Sequence, residues 1–392
     1  MTTQTLGTLA AREPGYGSSG SFAEAAFPPL VRQDGATGNP GWLPLLLILG
    51  AIAVVAYADH HMLSFSLIYL YVLPLSLSAI FLRREVGFGL IVVCILIHYF
   101  DSPRRVSLGL RLFHDLSALI CFTFVVYVIH RYATQRELLV RTIADQRDRL
   151  VKDLKLAEQV QRMFLPAAPP SMAGLAVAGV MQPARWLSGD YYGYIPIDHQ
   201  KLEIVVADVS GKGVPASLLM SATAAAIEIG ANAGRTMPDI VNRLNREIQS
   251  VSDGTQFVTL FIAAIDTATR ELRYINCGHN PALRVRRSSK TIARMDSTCP
   301  PVGLIQSKID GVSTESLENG DVIVFYTDGV TEAMNPKEEE FGLERLSAIV
   351  QRDQALGAEE LVSRIVDSAR SFTGEVGFGD DVTVVVVKCQ FD

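Results

Sequence analysis

Four aspartates stand beside glycine where the chain passes between strand and turn: Asp190 in Ser-Gly-Asp-Tyr-Tyr, Asp208 in Asp-Val-Ser-Gly-Lys-Gly, Asp328 in Tyr-Thr-Asp-Gly and Asp380 in Gly-Asp-Asp-Val-Thr. Any one of them reads as an ordinary turn. As a set, each at the start or end of a strand pattern, they can gather their carboxylates on one rim of a sheet sandwich. Hard oxygen ligands of that kind hold Mg²⁺ or Mn²⁺ with several waters retained. The neighbouring glycines let backbone approach such an ion, and the carbonyl just after Asp208 is a further donor. Lys212 in Gly-Lys-Gly resembles a fragment of a phosphate-binding loop, but that loop needs glycine where Val206 stands and Ser or Thr where Gly213 stands.

The elements that must position these groups begin after Gly174. Strands are expected at Leu175 to Met181, Tyr191 to Ile197, Leu202 to Ala207, Phe257 to Ile265, Glu271 to Asn276, Asp321 to Tyr326 and Val382 to Lys388, with a hairpin at Thr267 to Arg270. Helices are expected at Pro215 to Ala231, Met237 to Val251, Leu343 to Arg352 and Ala358 to Phe372, with Pro215 and Pro238 at helix starts, where a missing N–H costs least. Strand runs followed by helix pairs predict an α+β domain with sheets at the centre and helices outside.

Six phrases, in order, resemble the SpoIIE/RsbU branch of the PPM metal-dependent protein phosphatases: Ala157-Glu-Gln-Val-Gln-Arg-Met-Phe-Leu-Pro, Pro183-Ala-Arg-Trp-Leu-Ser-Gly-Asp-Tyr-Tyr, Ala207-Asp-Val-Ser-Gly-Lys-Gly-Val-Pro-Ala, Asn276-Cys-Gly-His-Asn-Pro-Ala, Phe325-Tyr-Thr-Asp-Gly-Val-Thr-Glu-Ala and Phe378-Gly-Asp-Asp-Val-Thr. The resemblance implies an αββα sandwich with two divalent ions, Mn²⁺ or Mg²⁺, between the sheets. It implies that Asp208 bridges both ions, that the Val209 carbonyl serves one of them, that Asp328 and Asp380 hold the other, and that Asp190 lies near the first ion and its waters. A metal-activated water would then attack phosphorus in line, with no phosphoenzyme, to dephosphorylate serine or threonine on a protein. By the same resemblance the substrate is an anti-sigma-factor antagonist. Three features depart from the family pattern: Ser188 replaces a glycine, Gly193 replaces an aspartate, and the His motif of eukaryotic-type relatives has no match. His279 in Cys-Gly-His-Asn-Pro reads as structural. Gly193 also motivates a rival reading, a catalytically weak or dead docking module.

The 392 residues exceed what one core usually serves, and 49% hydrophobic against 19% charged residues is apolar for a soluble enzyme. The excess lies before residue 131. Residues 1–40, rich in Gly, Ser, Ala and Pro, read as a disordered head. Apolar runs at Trp42 to Ala58, Met62 to Leu82, Val86 to Phe100 and Leu112 to His130 predict a four-helix transmembrane sensor domain over residues 41–130. Arg83 and Arg84, then Arg131 and Arg136, put both termini in the cytoplasm and the chain in the inner membrane, against lipid.

Residues 131–165 are charged and helix-favouring. Leu139, Ile143, Gln146 and Leu150 are near heptad spacing, and Leu154, Ala157, Gln161 and Phe164 follow a four-residue step, which predicts a coiled-coil linker and a homodimer, or else a solvated connecting helix. Residues 166–392 then form the phosphatase domain. His60, His61, His98 and His114 fall near one membrane face. Two readings stand open: ligands for haem b or another metal, with Arg104, Arg105 and Arg111 pairing to propionates, or interfacial side chains facing water. A net charge of -6 gives no footprint for nucleic acid. The five cysteines show no C-x-x-C spacing, so no disulfide framework or thiolate zinc site is expected.

Overall fold

The computed structural model describes residues 42–61, 68–82, 84–101, 108–252 and 254–391. The expected head, residues 1–40, lies outside the described residues, as do Arg83, Arg104 and Arg105. The chain divides into two compact units, Met1–Leu150 and Val151–Asp392.

The first unit contains α1 (Leu43–His61), a 3₁₀ turn at Ile68–Tyr71, α2 (Val72–Phe81), α3 (Arg84–Asp101) and the start of α4 (Leu108–Arg162). Ile48, Ile52, Tyr71, Leu75, Ile91, Cys94, Phe122 and Val126 form its core. Large apolar side chains also cover its outside, among them Leu47, Val54, Leu73, Phe81, Phe100 and Phe124. A unit apolar inside and out suits hydrocarbon as its solvent. The second apolar run does not form one long helix. Pro74 lacks an N–H and is tolerated only in a first turn, and α2 starts just before it, behind the 3₁₀ turn. The fourth run and the linker, by contrast, are a single 55-residue helix, because neither Pro nor Gly interrupts residues 110–162. At 1.5 Å per residue it is roughly 80 Å long.

Among the described residues three helices are long and apolar enough to cross a membrane: Leu43–His61, the Asp115–Arg162 portion of α4, and Val214–Asn232. The last belongs to the second unit, where Ala216, Met220, Ala224 and Ile227 pack into a soluble-type core.

That second unit is built from two antiparallel five-stranded sheets. One has the order β1 (Leu175–Gln182), β10 (Val382–Cys389), β9 (Val322–Tyr326), β6 (Ala282–Val285), β7 (Ile292–Met295). The other has the order β2 (Asp190–Pro196), β3 (Lys201–Val209), β4 (Val258–Asp266), β5 (Glu271–Cys277), β8 (Ser313–Ser316). Strand β3 shows why the sheets face each other. Leu202, Ile204 and Val206 enter the core between sheets, whereas Val205, Ala207 and Val209 enter a second core beneath α5 (Val214–Asn232) and α6 (Met237–Val251). In the same way Val385 and Val387 of β10 face the other sheet, and Val384 and Val386 face α8 (Gly342–Arg352) and α9 (Ala358–Thr373). Strands buried on both faces read as continuous apolar runs. The result is the expected αββα sandwich, an α+β fold with three cores. Pro215 and Pro238 do sit in first helical turns, and the Thr236 side chain caps α6 by accepting from Asp239 N at 3.4 Å.

Glu203 interrupts the apolar face of β3. It is 6% exposed, its Oε2 has no hydrogen-bond partner, and burial pushes its carboxyl up to about 7. The folded-state value exceeds the unfolded one, so Glu203 costs nothing below about pH 4.5 and destabilises increasingly as pH rises to about 7. Glu203→Gln is therefore expected to raise the melting temperature at pH 8, by a free energy of up to about 3 kcal/mol, and to leave it unchanged at pH 4. Equal shifts at both pH values in a thermal melt would contradict this account.

Candidate active site at the sandwich rim

Strands β2 and β3 pair so that Asp190 lies opposite Asp208, and Asp208 in turn lies opposite Thr259 of β4. Asp328 opens α7 (Asp328–Thr331), a single turn directly after β9, and Asp380 lies in the loop entering β10. The fold thus takes carboxylates from both sheets to one rim.

Asp190 is 2% exposed, and its Oδ2 accepts from the hydroxyls of Thr327 at 2.7 Å and Thr383 at 2.6 Å. Burial, then Asp208, then Asp381 hold its carboxyl well above the usual carboxylate range. Asp208 is pushed up to about 7 by burial and by Asp328, Asp380 and Asp381. Asp328 is raised by burial and then by Asp380. Lys212 Nζ sits 2.6 Å from Asp380 Oδ2, whose other oxygen accepts from Asp381 N at 2.9 Å. Among the described residues no three His, Cys, Asp or Glu side chains converge tightly enough to cage an ion by themselves. The donor set suits hard cations that keep much of their water.

Asp381 has no role in the sequence reading, yet the structure makes it the organiser of the rim. Its Oδ1 accepts from Ala184 N at 2.7 Å, and its Oδ2 from Ser188 Oγ at 2.8 Å and Gly189 N at 2.7 Å. Ser188 Oγ accepts in turn from Asp190 N at 3.0 Å, and Gly189 O from Val209 N at 3.3 Å. The serine that replaces a family glycine therefore links Asp381 to Asp190. Gly329 explains the Asp-Gly pair at the end of β9: a Cβ there would lie 2.0 Å from the carbonyl oxygen of Asp381, so only glycine lets α7 reach this loop.

Gly193 lies with Tyr191 and Ile195 on the helix-facing side of β2, whereas Asp190 and Tyr192 alternate to the other side. A Cβ at Gly193 would meet Tyr191 Oη at 2.4 Å, so the missing family carboxylate coincides with space that this tyrosine fills.

Gln161 is a further residue whose role at the rim its sequence position does not show. Near the end of α4 it is 5% exposed, donating Nε2–H to Ser188 O at 2.7 Å and accepting from Ser188 N at 3.0 Å. Phe164 packs against the core beneath α5 and α6. Both hold coiled-coil positions by spacing, and both are instead used by their own chain. His279 behaves as a structural residue. It is buried, its Nδ1 lies 2.9 Å from Thr259 Oγ1, its backbone N–H donates to Asn276 Oδ1 at 2.8 Å, and burial lowers its pKa to about 4.

Among the described residues of the first unit, the histidines are not gathered into a group of three metal-ligating side chains. His98 Nδ1 lies 2.8 Å from Asp59 Oδ2, and the rings of His60 and His61 meet edge-on at 5.3 Å. Nothing is described of the side chains of His114 and Arg111. The described residues give no support for haem or for a metal there.

An αββα sandwich whose two sheets deliver carboxylates to a common rim defines the PPM class of metal-dependent phosphatases. A solved structure described as the SiaA-PP2C domain of Pseudomonas aeruginosa shares this fold with TM-score 0.56 and 19% identity, over 64% of this chain and 100% of that one. Residues 198–390 match the family of stage II sporulation protein E, SpoIIE. The chain is 28% identical over 284 residues to phosphoserine phosphatase RsbU of Bacillus subtilis, covering 72% of this chain and 81% of RsbU. It is also 28% identical over 281 residues to protein IcfG of Synechocystis, of which it spans 43%. The C-terminal domain is a SpoIIE/RsbU-like PPM phosphatase, a protein serine/threonine phosphatase.

Proposed function

We propose that this is a membrane-anchored, signal-regulated phosphatase with a two-ion active site, acting on a phosphorylated regulator of the anti-sigma-factor-antagonist type. The observation that carries the catalytic reading is the surplus of negative charge. Burial and neighbouring carboxylates raise the pKa of Asp190, Asp208, Asp328 and Asp381, and Lys212, bonded to Asp380, is the one cation bonded to this cluster among the described residues. Such a rim is stable as carboxylates only with added cations.

Asp208 with the Val209 carbonyl would hold one Mn²⁺ or Mg²⁺, with Asp190 near its waters, and Asp208 with Asp328 and Asp380 would hold the second. When bound, such ions acidify water and neutralise charge on a transferring phosphoryl group. The chain's own groups orient the site. Thr327 and Thr383 fix the Asp190 carboxylate, Asp381 fixes the loop before β2, and Lys212 restrains Asp380. Exposed Arg185 lies close enough to Lys212 to oppose its charge, so the rim also offers positive charge to a phosphorylated side chain.

Residues 41–130 form the sensor part in this reading, 131–165 the linker and 166–392 the phosphatase. Apolar α1 and the apolar start of α4 support membrane insertion and contact with lipid, and the flanking arginines support an inner-membrane, cytoplasm-facing orientation. Exposed Leu139, Ile143 and Leu150 along α4 support pairing with a second copy. The grip of Gln161 on Ser188 supports the linker as the route of control, because it joins the helix directly to the loop that carries Asp190.

The test is phosphate release from a phosphoserine protein by the full-length chain in detergent, with and without Mn²⁺. Mn²⁺-dependent turnover is expected, and Gln161→Ala is expected to lower it several-fold. No turnover of any phosphoprotein with Mn²⁺ present would transfer the assignment to a docking module.

A further inference from the structure

Cys277 ends β5, and Cys299 lies in the segment between β7 and β8. The fold brings them together: their backbones form a parallel bridge, and their sulfurs are 3.2 Å apart. We propose that Cys277 and Cys299 are a peroxide-responsive thiol pair that closes reversibly to a disulfide beside the active site.

Backbone geometry favours the bond. Neighbouring paired strands lie about 4.7–4.9 Å apart, within the 4.4–6.8 Å or so between Cα atoms that disulfides span. Asn276 fixes the register, since its carbonyl accepts from Thr298 N at 2.8 Å and Cys299 N at 3.1 Å, and its Nδ2 donates to Met295 O at 3.2 Å. Closure therefore requires the sulfurs to move by about 1.2 Å, to the usual S–S distance of ~2.05 Å, without unzipping a strand.

The two thiols are unequal in the way such chemistry needs. Cys277 is fully buried and its thiol is raised far above the ordinary value by its hydrogen bond to Cys299 and by burial. Cys299 is partly exposed, and its contact with Cys277, aided by Thr298, lowers its thiol below the ordinary value. Cys299 is then the attacking thiolate and Cys277 the resolving partner. The Cys299 thiolate attacks a hydroperoxide oxygen and breaks the O–O bond, giving a sulfenic acid and, after proton uptake, water or alcohol. The Cys277 thiol next attacks that sulfur, the S–O bond breaks, and the hydroxide leaves with the thiol proton as water. Two thiols and one hydrogen peroxide give one disulfide and two waters, and a dithiol reductant reverses the change. Transient disulfides of this kind are compatible with a reducing compartment. Closure has a path to the catalytic rim. Two residues after Cys277, His279 contacts Thr259 at 2.9 Å, and Thr259 Oγ1 donates to the carbonyl of Asp208 at 3.4 Å.

The test treats full-length protein in detergent with one equivalent of hydrogen peroxide, alkylates the remaining thiols and maps peptides by mass spectrometry. A Cys277–Cys299 cross-linked peptide is expected, lost on addition of dithiothreitol and absent from Cys299→Ser, while Cys94, Cys121 and Cys389 remain alkylatable or unmodified. Oxidation of exposed Cys121 ahead of Cys299, or Cys299 carried to sulfinic acid with Cys277 still free, would overturn the proposal. Because the readout is a covalent bond, it is independent of whether the phosphatase acts on any chosen substrate.

Discussion

Asp208→Asn is expected to lower Mn²⁺-dependent phosphate release by about 10³-fold or more, some 4 kcal/mol of transition-state stabilisation, while leaving the fold intact. The shape of the side chain is kept and its charge removed at the point where both sheets direct carboxylates. A second consequence separates this from general damage. Asp208 has its pKa raised to about 7 by burial and by Asp328, Asp380 and Asp381, so in ion-free protein its ionised form opposes folding. The folded-state value lies above the unfolded one, so that penalty is absent near pH 4 and grows as pH rises to about 7. Asn carries no such penalty. At pH 7.5 without divalent ion the variant is therefore expected to melt higher than the parent, and the upward shift that Mn²⁺ gives the parent is expected to shrink or vanish. A thermal melt with and without Mn²⁺, beside the activity assay, reads both effects. A variant that keeps its Mn²⁺-induced shift and its turnover would remove Asp208 from the site.

The sequence makes the central strands legible because their burial is two-sided. The run Leu202 to Val209 is apolar almost throughout, and the structure uses alternate members of it for two cores. The shortest strands carry no such signal. β8 is Ser-Thr-Glu-Ser, paired to β5, and β6 and β7 are four residues each with arginines among them. Helix starts at Pro215 and Pro238 are local matters of a missing N–H and can be read directly. Helix continuity through residue 131 cannot be seen from hydropathy, since a change from apolar to charged residues alters the solvent of a helix without breaking it.

The site divides along the same line. The aspartates in glycine-flanked phrases can be found because both residue type and local turn are written in sequence. Which of two adjacent carboxylates, Asp380 or Asp381, turns inward cannot, because it depends on donors from Ala184, Ser188 and Gly189, nearly 200 residues away. The same holds for Gln161, whose heptad position is compatible with either a partner helix or its own domain, and for Cys277 and Cys299, whose spacing matches no thiol motif. Gly193 gives the reverse lesson. A departure from a family pattern reads as a lost ligand until the strand's alternation shows which side of the sheet it faces.

Asp381→Asn is expected to weaken Mn²⁺ binding about 10–100-fold, the usual cost of removing a group that orients metal ligands without itself being assigned to the ion. The argument is one of donors and acceptors. Two carboxylate oxygens accept three protons, from Ala184 N, Ser188 Oγ and Gly189 N. An amide has one accepting oxygen, so whichever way it is turned its NH₂ faces at least one backbone N–H, at a cost of about 1–3 kcal/mol for each unmet buried donor. The loop that those donors anchor carries the Gly189 carbonyl, which accepts from Val209 N, and the Ser188 hydroxyl, which accepts from Asp190 N. Loosening it misplaces Asp190 and Val209 together and leaves Asp208 and Asp328 chemically unchanged. Activity should therefore return at high Mn²⁺, with a raised half-saturating concentration and a nearly parental plateau, whereas Asp208→Asn should stay inactive at any concentration. An unchanged half-saturation for Asp381→Asn would mean that the loop is held by other contacts. A low plateau that no Mn²⁺ concentration restores would place Asp381 on the ions themselves.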